Sequence, residues 1–197
     1  MTENLLFGLA AFAFASSITP GPNNLMLMSS GANFGLRRTL PHMLGVALGF
    51  AAMLVLVGLG LARMFEVFPA TQAVLLAASL GYLAYLAWKI ATQDPVIGQG
   101  GAGRPLTFLQ AAAFQWVNPK AWAMALSAVS VYAPDRSATS LVVVALIFGA
   151  IGLPSVGAWA LLGRQIGRIL PDRRHMRRFN LAMALLLVAS VYPALWP

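Results

Sequence analysis

Two short polar segments interrupt long apolar stretches of the chain, and both carry residue types that can bind a small zwitterion. Proline lacks an N–H and disfavours helical geometry in the preceding residue, so each segment should end one helix and begin another. A helix that begins inside a membrane offers unpaired N–H groups to a carboxylate, and asparagine amides can pair with an ammonium group. The predicted substrate-binding residues are Pro20, Gly21, Pro22, Asn23 and Asn24 in the first segment, and Asn118, Pro119 and Lys120 in the second.

Lys120 is the only charged side chain that lies well inside a predicted apolar stretch. A buried cation costs about 2.5–3.5 kcal/mol on membrane-insertion scales, which favours a functional role in substrate binding or gating. The alternative is a lysine that extends along Trp116 and Trp122 to reach the cytoplasmic interface. Its position at the break, rather than at the end of a span, favours the functional interpretation.

The composition indicates a membrane protein. Of the 197 residues, 59% are hydrophobic and only 9% are charged, and the mean hydropathy is +0.77. Soluble domains have about a quarter of their residues charged. Six apolar stretches reach or approach the roughly 20 residues that cross a bilayer, namely residues 5–31, 40–62, 69–90, 106–133, 140–163 and 179–196. We therefore predict an all-α membrane protein with six transmembrane helices.

The two interruptions lie at matching positions of the two halves of the chain. Aligning Pro22 with Pro119 gives an offset of 97 residues and superposes the second span on the fifth. Because each half has three spans, the halves should insert in opposite orientations. This arrangement predicts one transporter domain, residues 1–197, built as a 3+3 inverted repeat of about 1–97 and 98–197 with broken helices 1 and 4.

The basic residues predict the orientation in the membrane. Ten of the thirteen follow spans one, three and five, at positions 37, 38, 89, 104, 164, 168, 173, 174, 177 and 178. Such a bias places these connections in the cytoplasm. The C-terminus is then outside, and the N-terminus is outside if span one crosses fully but inside if it re-enters at the break. The net charge of +8 therefore indicates anionic lipid around the loop between Arg164 and Arg178, and no nucleic acid.

Several polar residues near the breaks have two interpretations. His42, near the cytoplasmic end of span two, either carries a proton or is an interfacial histidine. The serines of the first span either bond back to their own helix or contact substrate; they are Ser16, Ser17, Ser29 and Ser30. The Gly45-x-x-x-Gly49 motif is typical of close helix packing.

The sequence resembles the LysE/RhtB family of amino-acid exporters nearly end to end. The resemblance rests on the run from Thr19 to Asn24, on Gly35-x-Arg37 and Gly45-x-x-x-Gly49, and on the run from Phe114 to Lys120. The stretch from Tyr85 to Thr92 is most similar to the cysteine/O-acetylserine exporter branch. The resemblance implies efflux of small amino acids across the bacterial inner membrane in exchange for protons. It places the family's substrate region at the two breaks, and the absence of acidic residues within the spans disfavours a basic cargo.

Other functional classes fit the sequence less well. Intramembrane proteolysis needs paired aspartates, a Ser–His pair or a metal motif, and thiol-redox chemistry needs cysteines, of which there are none. We therefore expect a secondary exporter of small neutral amino acids or close derivatives, driven by proton antiport. We expect no enzymatic activity, no cofactor and no metal site, and the sequence is compatible with a homodimer. The alternatives are an assembly subunit without transport activity and an exporter of another small metabolite.

Overall fold

The computed structural model describes residues 2–94, 103–170, 172–190 and 192, and within these ranges the chain has helices and no strands. Two short 3-10 turns, Leu61–Arg63 and Gln115–Val117, accompany the α-helices. The helices are α1 Glu3–Ile18, α2 Pro22–Gly58, α3 Met64–Val67, α4 Ala70–Ala91, α5 Phe108–Phe114, α6 Pro119–Tyr132, α7 Ala138–Ile169 and α8 Arg173–Ala189. The predicted all-α class is confirmed.

Helix α2 reverses direction at Gly35. The backbone there has φ 73° and ψ 169°, a combination that essentially only glycine adopts. The hydroxyls of Ser30 and Thr39 lie 2.8 Å apart, whereas nine residues of straight helix would separate them by about 13.5 Å. Helix α2 is therefore a hairpin of two segments, residues 22–34 and 36–58. The predicted spans end at residue 31 and begin again at residue 40, whereas in the structure the helix continues on both sides of this one glycine.

The first segment of α2 packs directly on the backbone of α7. A Cβ atom on Gly31 would overlap the carbonyl of Ala160, and one on Gly163 would overlap the carbonyl of Met28. Helices without side chains at the crossing can bring their backbones together, which favours association in lipid. These glycines hold the N-terminal end of α2 against α7 and fix its position.

The second segment of α2 packs against α5 through the predicted glycine motif. A Cβ atom on Gly45 would overlap the Phe108 carbonyl, and one on Gly49 would lie 2.6 Å from the Cα of Ala112. The interpretation of Gly45-x-x-x-Gly49 as a packing motif is confirmed. The contact brings α5, and the break that follows it, alongside α2.

The three connections predicted to be cytoplasmic lie at the same end of the molecule. Arg38 Nη2 donates to the Gly103 carbonyl at 2.8 Å, and Arg177 Nη2 lies 3.6 Å from Asp94 Oδ1. The basic loop predicted between Arg164 and Arg178 is largely helical, however, because α7 continues to Ile169 and α8 begins at Arg173. Asp172 accepts from the His175 N–H at 2.9 Å, which starts α8 and lowers the pKa of the Asp172 carboxyl.

Three of the described helices are long and apolar enough to span a membrane: Pro22–Gly58, Ala70–Ala91 and Ala138–Ile169. Large apolar side chains such as Phe7, Leu109 and Leu146 are exposed on the helix surfaces, as expected for contact with lipid. The six-span inverted repeat stays a prediction. The boundary between residues 97 and 98 and the end of span six at residue 196 lie outside the described residues.

Candidate functional site at the two helix breaks

A cavity lies where the two breaks meet, with about 510 Å³ of space that includes its opening to solvent. Five of the eight predicted site residues line this first cavity: Gly21, Asn23, Asn24, Asn118 and Lys120. The three prolines adjoin these residues in the chain, and Pro22 and Pro119 are the first residues of α2 and α6. The structure thus brings together two segments about a hundred residues apart.

The C-terminal end of α1 is capped by side chains from other helices. Asn24 Nδ2 donates to the carbonyls of Ser17 and Thr19, both at 2.8 Å, and Trp159 Nε1 donates to the Ile18 carbonyl at 3.0 Å. The last carbonyls of a helix have no partner within the helix, so a buried end needs such donors. The amide group of Asn24 therefore maintains the break, and its NH₂ group is already in use.

The Lys120 ammonium group reaches across to the first break. Its Nζ donates to the Thr19 carbonyl at 2.8 Å, to Thr19 Oγ1 at 2.9 Å and to the Pro20 carbonyl at 3.3 Å. A Cβ atom on Gly21 would lie 2.8 Å from Lys120 Cδ, so a side chain at residue 21 would force the lysine side chain to shift. The alternative in which Lys120 extends to the interface is wrong, because the ammonium is bound at the opposite break.

The two new helices begin differently. Asn118 caps α6, since its Oδ1 accepts from the Lys120 N–H at 3.2 Å. The N-cap of α2 is Gly21, which has no side chain to serve as an acceptor, and the backbone N–H groups of Asn23 and Asn24 have no acceptor among the described residues. The start of α2 is therefore the better position for an anion.

A reciprocal amide pair joins the two breaks. Asn23 Nδ2 donates to Gln115 Oε1 at 2.9 Å, and Gln115 Nε2 donates to Asn23 Oδ1 at 3.3 Å and to the Ala111 carbonyl at 2.8 Å. Gln115 is fully buried and was not among the predicted site residues. Its signal in the sequence is a glutamine inside an apolar stretch, three residues before the break.

The remaining wall of the first cavity is mainly apolar. Ser16 Oγ bonds back to the Phe12 carbonyl at 2.6 Å, and both Ser16 and Ser17 line the cavity. The apolar lining was not predicted from the sequence; it comes from α2, α6 and α7, namely Val46, Ala47, Phe50, Met124, Phe148 and Val156. A ligand here has polar partners at one end and an apolar surface at the other.

His42 lies apart from the first cavity and lines a second cavity of about 380 Å³ together with Ser29 and Ser30. The side chain is only 1% exposed, so the interpretation as an interfacial histidine is wrong. Both ring nitrogens lack a hydrogen-bond partner within the described part of the chain. The second cavity also includes Lys89 and Arg104.

The chain is similar to known proteins over nearly its whole length. The LysE type translocator family matches residues 14–191. The chain is 34% identical over 191 residues to the "Cysteine/O-acetylserine efflux protein" of Escherichia coli (strain K12), covering 95% of this chain and 96% of that protein. It has the same identity and coverage with the protein of that name from Shigella sonnei (strain Ss046). No solved structure matches the chain significantly.

Proposed function

This chain belongs to the LysE type translocator family, a family of membrane transporters, and we propose that it exports small neutral amino acids or close derivatives from the cytoplasm. Amino-acid export agrees with the efflux proteins to which the chain is similar over 95% of its length. Cysteine and O-acetylserine, the compounds in the names of those relatives, are the first cargoes to test. The bacterial inner membrane, crossed several times, is the proposed location.

The observation that carries the proposal is that both helix breaks contribute to one cavity. The cargo carboxylate binds between the Lys120 ammonium and the free N–H groups of Asn23 and Asn24, where a cation and a helix N-terminus reinforce each other. The ammonium exchanges its longest bond, the one to the Pro20 carbonyl, for a bond to the carboxylate. The cargo ammonium group binds the amide oxygens of Asn23 and Gln115, which exchange their mutual bonds for bonds to the ligand. The proposed site thus uses five of the predicted residues as binding groups or supports, with the three prolines fixing the breaks.

The apolar side of the first cavity limits the cargo to short, neutral side chains. No Asp or Glu is among its described lining residues, so the ammonium group of a lysine side chain would have no charged partner there. Transferring an unpaired charge into such an environment is unfavourable. A thiol or an acetyl ester instead fits against Phe50, Met124 and Phe148.

Proton antiport is the proposed driving force, and His42 is the proposed proton carrier. The five acidic residues, Glu3, Glu66, Asp94, Asp135 and Asp172, lie in or beside connections and the outer turns of helices. His42, in contrast, is buried within α2 and can take up or release a proton through the second cavity. The 3+3 inverted repeat supplies the alternating access that the exchange requires.

Two further proposals concern the surroundings of the protein. The basic helix ends between Arg164 and Arg178 carry positive charge at the end predicted to be cytoplasmic, where anionic lipid headgroups attract it. The exposed apolar helix faces leave room for a homodimer in the membrane. Blue native electrophoresis of the purified protein, with and without added cardiolipin, tests both.

Transport by purified protein in inside-out proteoliposomes tests the proposed function. With an acid lumen, labelled L-cysteine and O-acetyl-L-serine should accumulate, whereas L-lysine should not, and a protonophore should abolish accumulation. His42→Gln should remove the effect of the pH gradient but retain exchange of labelled for unlabelled cargo. Accumulation of lysine but of neither neutral amino acid would overturn the assignment of cargo, and no effect of His42→Gln would overturn the proton carrier.

A further inference from the structure

Buried polar groups of His42 and Gln93 line the second cavity, and neither residue lines the first. Both ring nitrogens of His42 and the amide nitrogen of Gln93 are buried and have no partner among the described residues. A buried donor that loses its bonds to water without replacement costs about 1–3 kcal/mol. Such groups in a native structure normally have a partner, either protein, water or ligand. Their convergence on one cavity indicates a binding site.

The groups around the second cavity favour an anion. Lys89 and Arg104 contribute two positive charges, and no Asp or Glu is among the described residues that line it. A neutral histidine provides one N–H donor, the glutamine amide two, and the Ser29 hydroxyl one more. A carboxylate accepts several hydrogen bonds through two oxygens and has the charge that complements Lys89 and Arg104.

The same segment of α2 lines both cavities, so a cargo that moves along this segment can meet both. Ser29 lines the second cavity and Asn24 lines the first, and both belong to the same segment of α2. Five helical residues correspond to about 7.5 Å along the axis. Measured along the axis of α2, the second cavity is therefore little more than one helical turn from the first, toward the end that carries Arg38 and Arg177, and the two residues face different sides of the helix.

We propose that the second cavity is a separate binding site for the carboxylate of the cargo, occupied before the cargo reaches the first cavity. His42, Gln93 and Ser29 donate hydrogen bonds to the carboxylate, and Lys89 and Arg104 attract it at the cytoplasmic mouth. This inference rests on the proposed function for the identity of the cargo, but it concerns a different set of residues. No proton transfer is needed, because the neutral imidazole donates its existing N–H.

Nuclear magnetic resonance of labelled histidine tests the site directly, because the chain has only two histidines. His175→Asn leaves His42 as the single reporter. The probes are O-acetyl-L-serine, N-acetyl-L-serine, which keeps the carboxylate but lacks the ammonium group, and O-acetyl-L-serine methyl ester, which lacks the carboxylate. Both carboxylates should shift the His42 ring signals in a saturable manner, and the methyl ester should not.

Two substitutions separate this site from the first cavity. The shift should persist in Lys120→Met, which removes the cation of the first cavity. Arg104→Gln should weaken the apparent affinity for N-acetyl-L-serine by about 2- to 5-fold, the size expected for an exposed ion pair, whereas the exposed Arg174→Gln serves as a control without effect.

The inference is overturned if neither carboxylate shifts the His42 signals, or if the methyl ester shifts them equally. It is also overturned if the shift disappears in Lys120→Met, since His42 would then report on the first cavity. The proposed function would be refuted by a different result, namely the absence of neutral amino-acid transport in proteoliposomes. N-acetyl-L-serine can bind the second cavity whether or not it is transported.

Discussion

Replacing Lys120 by methionine should weaken cargo binding without preventing folding. The substitution keeps most of the side-chain volume and removes the ammonium that bonds to Thr19 and Pro20. The Thr19 carbonyl keeps its 2.8 Å bond from Asn24, so the end of α1 remains capped. A hydrogen bond to a charged group contributes about 1.5–3 kcal/mol, and 1.4 kcal/mol corresponds to a tenfold change. Affinity for the cargo should therefore fall about 10- to 150-fold.

The assay for Lys120→Met is the initial rate of cargo uptake into inside-out proteoliposomes as a function of cargo concentration. The KM of Lys120→Met should rise about 10- to 150-fold. The KM of Lys120→Arg, which keeps the charge, should lie between that of Lys120→Met and that of the wild type. Arg63→Met removes an exposed positive charge at the predicted outer side and is the matched control. An unchanged KM in Lys120→Met would refute the carboxylate contact.

Substitutions at four further positions test the packing that positions the site, each by thermal unfolding in detergent. Gly163→Val should destabilise the protein by about 1–3 kcal/mol or more, because the added atoms meet the backbone of Met28; a neutral effect would contradict the close helix contact. Asn33 and Asn180 form a buried amide pair with bonds of 2.7 and 3.1 Å, so either single change to leucine should cost about 1–3 kcal/mol, and the double change should cost less than the sum; additive costs would argue against the pair. Gly35→Ala should cost about 1–3 kcal/mol because of the backbone conformation at the reversal, and wild-type stability would show that α2 can turn elsewhere.

Local sequence signals predicted where two of the helices begin, because proline and asparagine act over a few residues. Pro22 and Pro119 begin helices where expected, and Asn118 caps α6 through its own side chain. The reversal at Gly35 was harder to predict from the sequence, since it depends on one residue with positive φ between two helical segments. The sequence places a glycine there but does not distinguish a tight reversal from a longer loop.

The first cavity was predictable only in part, because its lining combines local breaks with distant packing. The polar residues at the breaks stand out in an apolar chain, whereas Phe50 and Phe148 resemble any other core residue until the helices are assembled. Asn24 and Lys120 also show why residue type alone is insufficient. Both were predicted as substrate contacts, yet both also bond to the end of α1, a role that only the three-dimensional contacts reveal.

Protection of a single introduced cysteine by cargo tests the central claim most directly, since the chain contains no cysteine. Met124→Cys places a thiol in the first cavity, and Leu59→Cys places one at an exposed position after α2. O-acetyl-L-serine should slow the reaction of the Met124→Cys thiol with a methanethiosulfonate reagent and leave that of Leu59→Cys unchanged. Equal reaction rates at Met124→Cys with and without saturating cargo, in protein that still transports it, would contradict binding at the paired breaks.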